Sequence, residues 1–291
     1  MLSRILSTLL LWSVVLGSLW AFGAHAAVTL MALLAALALH ELYTMGEKAG
    51  LRPFRKMGIF FAVLIVAVPF YLRCFGFDDD IVASSASLLV ALGVIAASVR
   101  LLGERDNTNR IETLVATSFG LLFIPFLLHY LVRLLLLTYE PNEPFFELVP
   151  PLEPGLVACL WVVATSKFCD VGALLSGLAF GRHKMSPHIS PKKTWEGAIG
   201  GVLVSCGVGA GIAAWGADYL PVPFTPVVAA LAALPLALVT IVSDLVESVI
   251  KRRAEVKDSG AMIPGIGGAF DLTDSLILSA PVAYLIFLFL S

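Results

Sequence analysis

Residues 223–243 read PFTPVVAALAALPLALVTIVS, a run without one charged side chain. Wound into an α-helix, a run of about 20 residues is about 30 Å long, the thickness of a bilayer's hydrocarbon core. In lipid the backbone has no water to bond, and a helix satisfies its N–H and C=O groups within one segment. Charge begins immediately afterwards, at Asp244. The stretch therefore predicts a transmembrane helix that runs directly into a polar segment.

Outward from this run the same pattern recurs. Nine apolar runs are read, over about 5–23, 27–46, 58–76, 81–102, 111–138, 155–178, 197–216, 223–243 and 272–290. Of the 291 residues, 59% are hydrophobic and 14% charged, where a soluble domain carries about 25% charge. Mean hydropathy is +0.93. Disorder needs the opposite composition. Cys74, Cys159, Cys169 and Cys206 are scattered without CxxC spacing, which excludes a disulfide scaffold. An outer-membrane barrel shows short alternating strands instead. The expected fold is all-α, a polytopic transmembrane helical bundle of about nine spans, forming one integral membrane domain over residues 1–291.

Lys and Arg orient the spans. Arg4 precedes the first run, and Lys48, Arg52, Arg55 and Lys56 follow the second. Arg100, Arg105 and Arg110 follow the fourth; Arg182, Lys184, Lys192 and Lys193 the sixth; Lys251, Arg252, Arg253 and Lys257 the eighth. That sorts 16 of the 19 cations to one side. The opposite loops carry Asp78, Asp79 and Asp80, then Glu140, Glu143, Glu147 and Glu153, then Asp218. The basic side is expected in the cytoplasm of a bacterial-type inner membrane, with the N-terminus inside and the C-terminus outside. Ala24-His25-Ala26 resembles a signal-peptidase site, but the second span begins at once, and an uncleaved first span is expected.

Within the spans, Lys167 and Asp170 lie three apart on one helix face. They read either as a structural ion pair or as the wall of a polar cavity. His40 and Glu41, near the cytoplasmic end of the second span, read either as lining the same cavity or, more readily, as marking the membrane interface. Arg133 has a stem long enough to snorkel and is given no role, and His129 reads as a packing residue.

Two loops on the basic side carry the chemistry. Residues 181–201 read GRHKMSPHISPKKTWEGAIGG. Ser190 before Pro191 looks like a helix N-cap with Pro at the first helical position. Lys192 and Lys193 would then sit in the first turn, where they oppose the helix dipole. Either an anionic ligand or lipid headgroups would account for them. Residues 243–275 read SDLVESVIKRRAEVKDSGAMIPGIGGAFDLTDS. Asp244 and Glu247 lie at i, i+3 at the end of one span, and Asp271 and Asp274 repeat that spacing at the start of the next. Between them lie Lys251, Arg252, Arg253 and Lys257. Carboxylates from two helix ends beside a basic loop suit a Mg²⁺–phosphate site, and Gly265, Gly267 and Gly268 allow close backbone approach.

These two stretches, with Asp170 in the preceding span, closely resemble the signature of the phosphatidate cytidylyltransferase (CDP-diacylglycerol synthase) family. The motifs cover about residues 165–280. The first half resembles the family in hydropathy and span count alone. Ile266 stands where the family usually has His, Leu272 where it has Arg, and Leu174 where it has Tyr. These departures bear on substrate detail more than on reaction class.

The resemblance implies transfer of a cytidylyl group from CTP to phosphatidate, giving CDP-diacylglycerol and pyrophosphate, with Mg²⁺. Such a reaction brings two polyanions together, so catalysis rests on positioning and charge neutralisation. On this basis Asp244, Asp271 and Lys257 are the expected catalytic residues. Asp244 and Asp271 bind Mg²⁺, and Asp274 supports them or binds a second cation. Ser190, Lys192 and Lys193 contact phosphate. Lys251, Arg252, Lys257 and Asp258 shape the nucleotide site, and Asp170 lines the cavity. Expected partners are CTP, phosphatidate and membrane lipids; nucleic acid is not one, and Ala- and Gly-rich spans suit a homodimer. The alternatives are a catalytically silent or divergent family member and a transporter using Lys167 and Asp170. The DGxxAR element of CDP-alcohol phosphotransferases does not occur.

Overall fold

A computed structural model describes residues 2–103, 110–137, 153–187, 189–260 and 267–290, with side chains described from Ser13 onward. The helices are α1 (Leu2–Lys48), α2 (Arg55–Cys74), α3 (Asp79–Leu102), α4 (Arg110–Leu121), α5 (Leu127–Leu136), α6 (Pro154–Phe180), α7 (Trp195–Trp215), α8 (Pro226–Arg253) and α9 (Ala269–Leu290). A π-helical turn over Leu122–Phe126 joins α4 to α5. Pro125 lies in that turn; it has no N–H to give, so the ladder widens there instead of ending.

Eight helical segments among the described residues are long and apolar enough to cross a membrane, one fewer than the nine runs. The difference lies at the start. Runs 5–23 and 27–46 fall within α1, which is broken at Gly23, where φ is 50° and ψ is −130°. Glycine adopts that conformation without a Cβ clash. Ala24 and Ala26 of the Ala24-His25-Ala26 pattern are buried, and the His25 ring meets Phe70 edge-on at 5.1 Å. Arg105, Glu140, Glu143 and Glu147 lie outside the described residues.

In the first half, Tyr43 of α1 is buried between neighbouring helices. Its ring lies between Gly58 of α2 and Gly120 of α4, and its hydroxyl donates to Thr117 O at 2.8 Å. In the second half, α6 and α7 come closest. The buried face of α7 is Gly197, Gly201, Ser205, Gly209 and Ala213, one small residue per turn. Small residues let backbones approach where lipid offers no hydrophobic drive. The small residues of α7 serve packing within the chain.

α9 packs against α1, α5, α6 and α8 and joins the two halves. Arg133 has a role after all: it donates to Ala83 O at 3.0 Å and to the Tyr284 hydroxyl at 2.8 Å, tying α5 to α3 and α9. His129 is buried and packs on Phe126 and Tyr130, as expected.

Residues 190–194 correct the expected helix start. They form strand β2 (Ser190–Thr194), antiparallel to β1 (Lys184–Ser186). The N-cap of α7 is Thr194, whose hydroxyl accepts from Gly197 N at 3.1 Å. Losing it should lower stability by about 1 kcal/mol, the usual worth of a threonine cap. Thr194→Ala is expected to melt a few degrees lower in detergent, and an unchanged melting temperature would contradict the assignment.

Candidate active site

The end of α8, the start of α9, the middle of α6 and strand β2 converge. The i, i+3 spacing aims Asp244 and Glu247 from one face of α8, as expected, and Asp274 meets them from α9. Carboxylate oxygens of Asp244, Glu247 and Asp274 all lie within 4.8 Å of one another. At that separation each pair of full charges repels by roughly 3 kcal/mol, taking an effective dielectric of about 20.

Three lysines face the three acids. Lys193 Nζ lies 2.6 Å from Asp244 Oδ2, Lys251 Nζ 2.8 Å from Glu247 Oε2, and Lys167 Nζ 3.2 Å from Asp274 Oδ1. One Glu247 oxygen, Oε1, is buried and has no hydrogen-bond partner among the described residues. An unbonded buried carboxylate oxygen beside two more carboxylates suits a divalent cation, whose hard-oxygen chemistry matches this donor set. The residues present therefore fit the expected Mg²⁺. Ser243 of α8 also donates to the backbone carbonyl of Asp274, locking the two helices together at this level.

Asp271 lies beside the trio and is otherwise engaged. Its Oδ1 lies 3.1 Å from Lys251 Nζ, so Lys251 bridges Glu247 and Asp271. Its Oδ2 accepts from Gly268 N at 2.9 Å and from Ser259 N at 3.3 Å. Asp271 thus caps its own helix, since the first N–H groups of a helix lack intrahelical partners.

Lys192 and Lys193 point to opposite sides because they are neighbours in a strand. Lys193 joins the acids, while Lys192 is exposed and without an ion pair among the described residues. Ser190 is half-buried and pairs with Ser186 through the strand register. Arg252 is exposed and donates to Ile189 O at 3.5 Å, touching the hairpin turn. Lys257 and Asp258 are exposed in the segment after α8, and the ion pairs of the trio are with other lysines. Asp170 is half-buried one turn from Lys167 on α6, but the lysine's ion pair is with Asp274. Pro264, Gly265 and Ile266 lie outside the described residues. Leu174 is exposed on α6, and Leu272 is half-buried in the first turn of α9.

A model of the cytidylyltransferase family matches residues 2–290. The chain belongs to this family. Among curated relatives, the phosphatidate cytidylyltransferase of Synechocystis sp. is 44% identical over 127 residues, which is 44% of this chain and 40% of that protein. That of Mycobacterium bovis is 40% identical over 132 residues, 45% of this chain and 41% of that protein. That of Thermotoga maritima is 29% identical over 236 residues, 78% of this chain and 77% of that protein. The aligned stretch thus spans about two fifths of the first two relatives.

Two residues of this cytidylyltransferase-family site were not in the expected set. Glu247 had a signal, its i, i+3 spacing from Asp244, and it completes the trio in which Asp271 was expected. Glu41, read as a cavity or an interface residue, is buried against the start of α9, where it accepts from Ala269 N at 3.0 Å and Phe270 N at 2.9 Å.

Proposed function

We propose that this chain transfers the cytidylyl group of CTP to phosphatidate, forming CDP-diacylglycerol and releasing pyrophosphate. The observation that carries this reading is the trio of Asp244, Glu247 and Asp274 faced by Lys193, Lys251 and Lys167. Family membership and the relatives' names support it further. The active site faces the cytoplasm of the inner membrane, where CTP and a lipid headgroup can both reach it; the sorting of Lys and Arg favours this side.

A phosphatidate oxygen attacks the α-phosphorus of CTP, and the bond from the α-phosphorus to the bridging oxygen breaks. The nucleophile is already an anion, so no strong base is needed. The difficulty is the meeting of two anions, and positioned cations relieve it. Lys193 and Lys251, held at the acids, offer ammonium groups to phosphate oxygens. Lys167 offers a third from deeper in the bundle. Asp244, Glu247 and Asp274 would hold Mg²⁺, which when bound would supply positive charge to offset that of the triphosphate and pyrophosphate. Asp271 orients Lys251 and fixes the first turn of α9.

Purified protein in detergent micelles, given CTP, Mg²⁺ and phosphatidate, is expected to form CDP-diacylglycerol, and to form none when diacylglycerol replaces phosphatidate. Absence of product from phosphatidate would favour a silent family member. Transport of a solute by reconstituted protein, without product, would favour the use of Lys167 and Asp170 as a coupling pair.

A further inference from the structure

We propose that Glu41 is a positioning residue: from α1 it clasps the neck of the loop between α8 and α9, and so sets Asp271 and the acids of α9 against those of α8. The inference rests on the activity proposed above for its kinetic consequence, but not for the clasp itself.

Glu41 is 8% exposed. Its Oε1 accepts from Ala269 N at 3.0 Å, and its Oε2 accepts from Phe270 N at 2.9 Å and from the Ser259 hydroxyl at 2.7 Å. One carboxylate therefore holds both the outgoing and the returning limb of the loop. Gly260 and Gly268 make the slot: a Cβ on Gly260 would lie 2.8 Å from Glu41 Cδ, and one on Gly268 2.6 Å from it. A Cβ on Gly260 would also lie 3.4 Å from Gly268 Cα, so the limbs meet at this point.

The neck reaches the site through two shared residues. Ser259 gives its hydroxyl to Glu41 and its N–H to Asp271. Gly268, beside Ala269, gives its N–H to Asp271. Asp271 in turn holds Lys251, which holds Glu247. Each link is a direct hydrogen bond or ion pair, so the chain from α1 to the acidic trio is continuous. Glu41 and Asp271 together occupy the N–H groups of Gly268, Ala269 and Phe270 at the start of α9. This is why a buried carboxylate is stable here.

The test uses the full-length protein as wild type, Glu41→Gln and Ser259→Ala. Trypsin cleavage after Lys257 reports opening of the neck, and steady-state turnover reports positioning. Glu41→Gln keeps the side chain's shape but turns one acceptor into a donor facing an N–H. It is expected to be cut about tenfold faster at Lys257, through local opening of the loop. Its kcat is expected to fall about tenfold or more, as for a small misplacement of catalytic groups, with the KM for CTP changing far less. Ser259→Ala removes one of the three bonds and should show both effects in smaller degree; it decides the matter if Glu41→Gln does not fold. Wild-type cleavage in both variants would overturn the clasp. Faster cleavage with wild-type kcat would overturn the positioning role. If wild type makes no CDP-diacylglycerol, the activity reading falls, and the trypsin comparison alone decides the clasp.

Discussion

Asp244→Asn is expected to lower CTP-dependent turnover by roughly 100- to 1000-fold, the scale on which a single preorganised electrostatic group acts. The reason is local. Asp244 is one of three carboxylates within 4.8 Å of each other, and it holds Lys193 at 2.6 Å. The amide keeps the shape but loses the charge that draws in both the cation and the lysine. Folding should survive, because the substitution relieves repulsion between neighbouring acids. Asp79→Asn is the matched control: Asp79 is exposed and paired with Arg73 at the start of α3, apart from the site. Turnover should remain at the wild-type level there. Near-normal turnover of folded Asp244→Asn at ordinary Mg²⁺ would remove Asp244 from the site.

Gly201→Leu is expected to have the largest effect on stability, about 3 kcal/mol or more, at the upper end for overpacking. A Cβ at Gly201 would lie 2.6 Å from Cys169 O and 3.0 Å from the Ala173 Cβ. The first of these is backbone and cannot rotate away, so α6 and α7 must separate. That pulls Lys167 of α6 away from Asp274 of α9 as well. Gly211, on the same helix, has open space where its Cβ would go. Gly211→Ala should be neutral or slightly stabilising, since alanine is the better helix former by about 1 kcal/mol. Thermal unfolding in detergent separates the two, and equal melting temperatures would contradict the packing account.

The spans were legible because a bilayer demands about 20 apolar residues in sequence, a local property. The first apolar run ends at Gly23, where α1 breaks, but hydropathy did not show that the helix resumes at once beyond that residue. Ser190-Pro191 carried a valid start signal, but Pro fits an edge strand equally well. Thr194, four residues on, is the group that bonds an N–H of the first turn of α7. Asp244 and Asp274 stand out in spacing and resemblance, since acids flanking a basic loop are visible in one stretch; Asp271, read with them, instead holds Lys251 and the N–H groups of Gly268 and Ser259. Lys167 was read against Asp170 because i, i+3 neighbours are legible within a helix, whereas its partner Asp274 comes from another. Glu41 was the hardest. Its partners at Ala269 and Phe270 are more than two hundred residues away, and only the packing of α1 on α9 brings them together.

In the proposed reaction, this cluster of acids and lysines directs the α-phosphate of CTP onto a lipid phosphate. The most direct measurement follows label from CTP carrying ³²P at the α- or the γ-position, with purified protein, Mg²⁺ and phosphatidate. Alpha-label is expected in the lipid fraction and γ-label in pyrophosphate, in equal amounts. Gamma-label in the lipid, or α-label left in soluble nucleotide while γ-label is released, would contradict it.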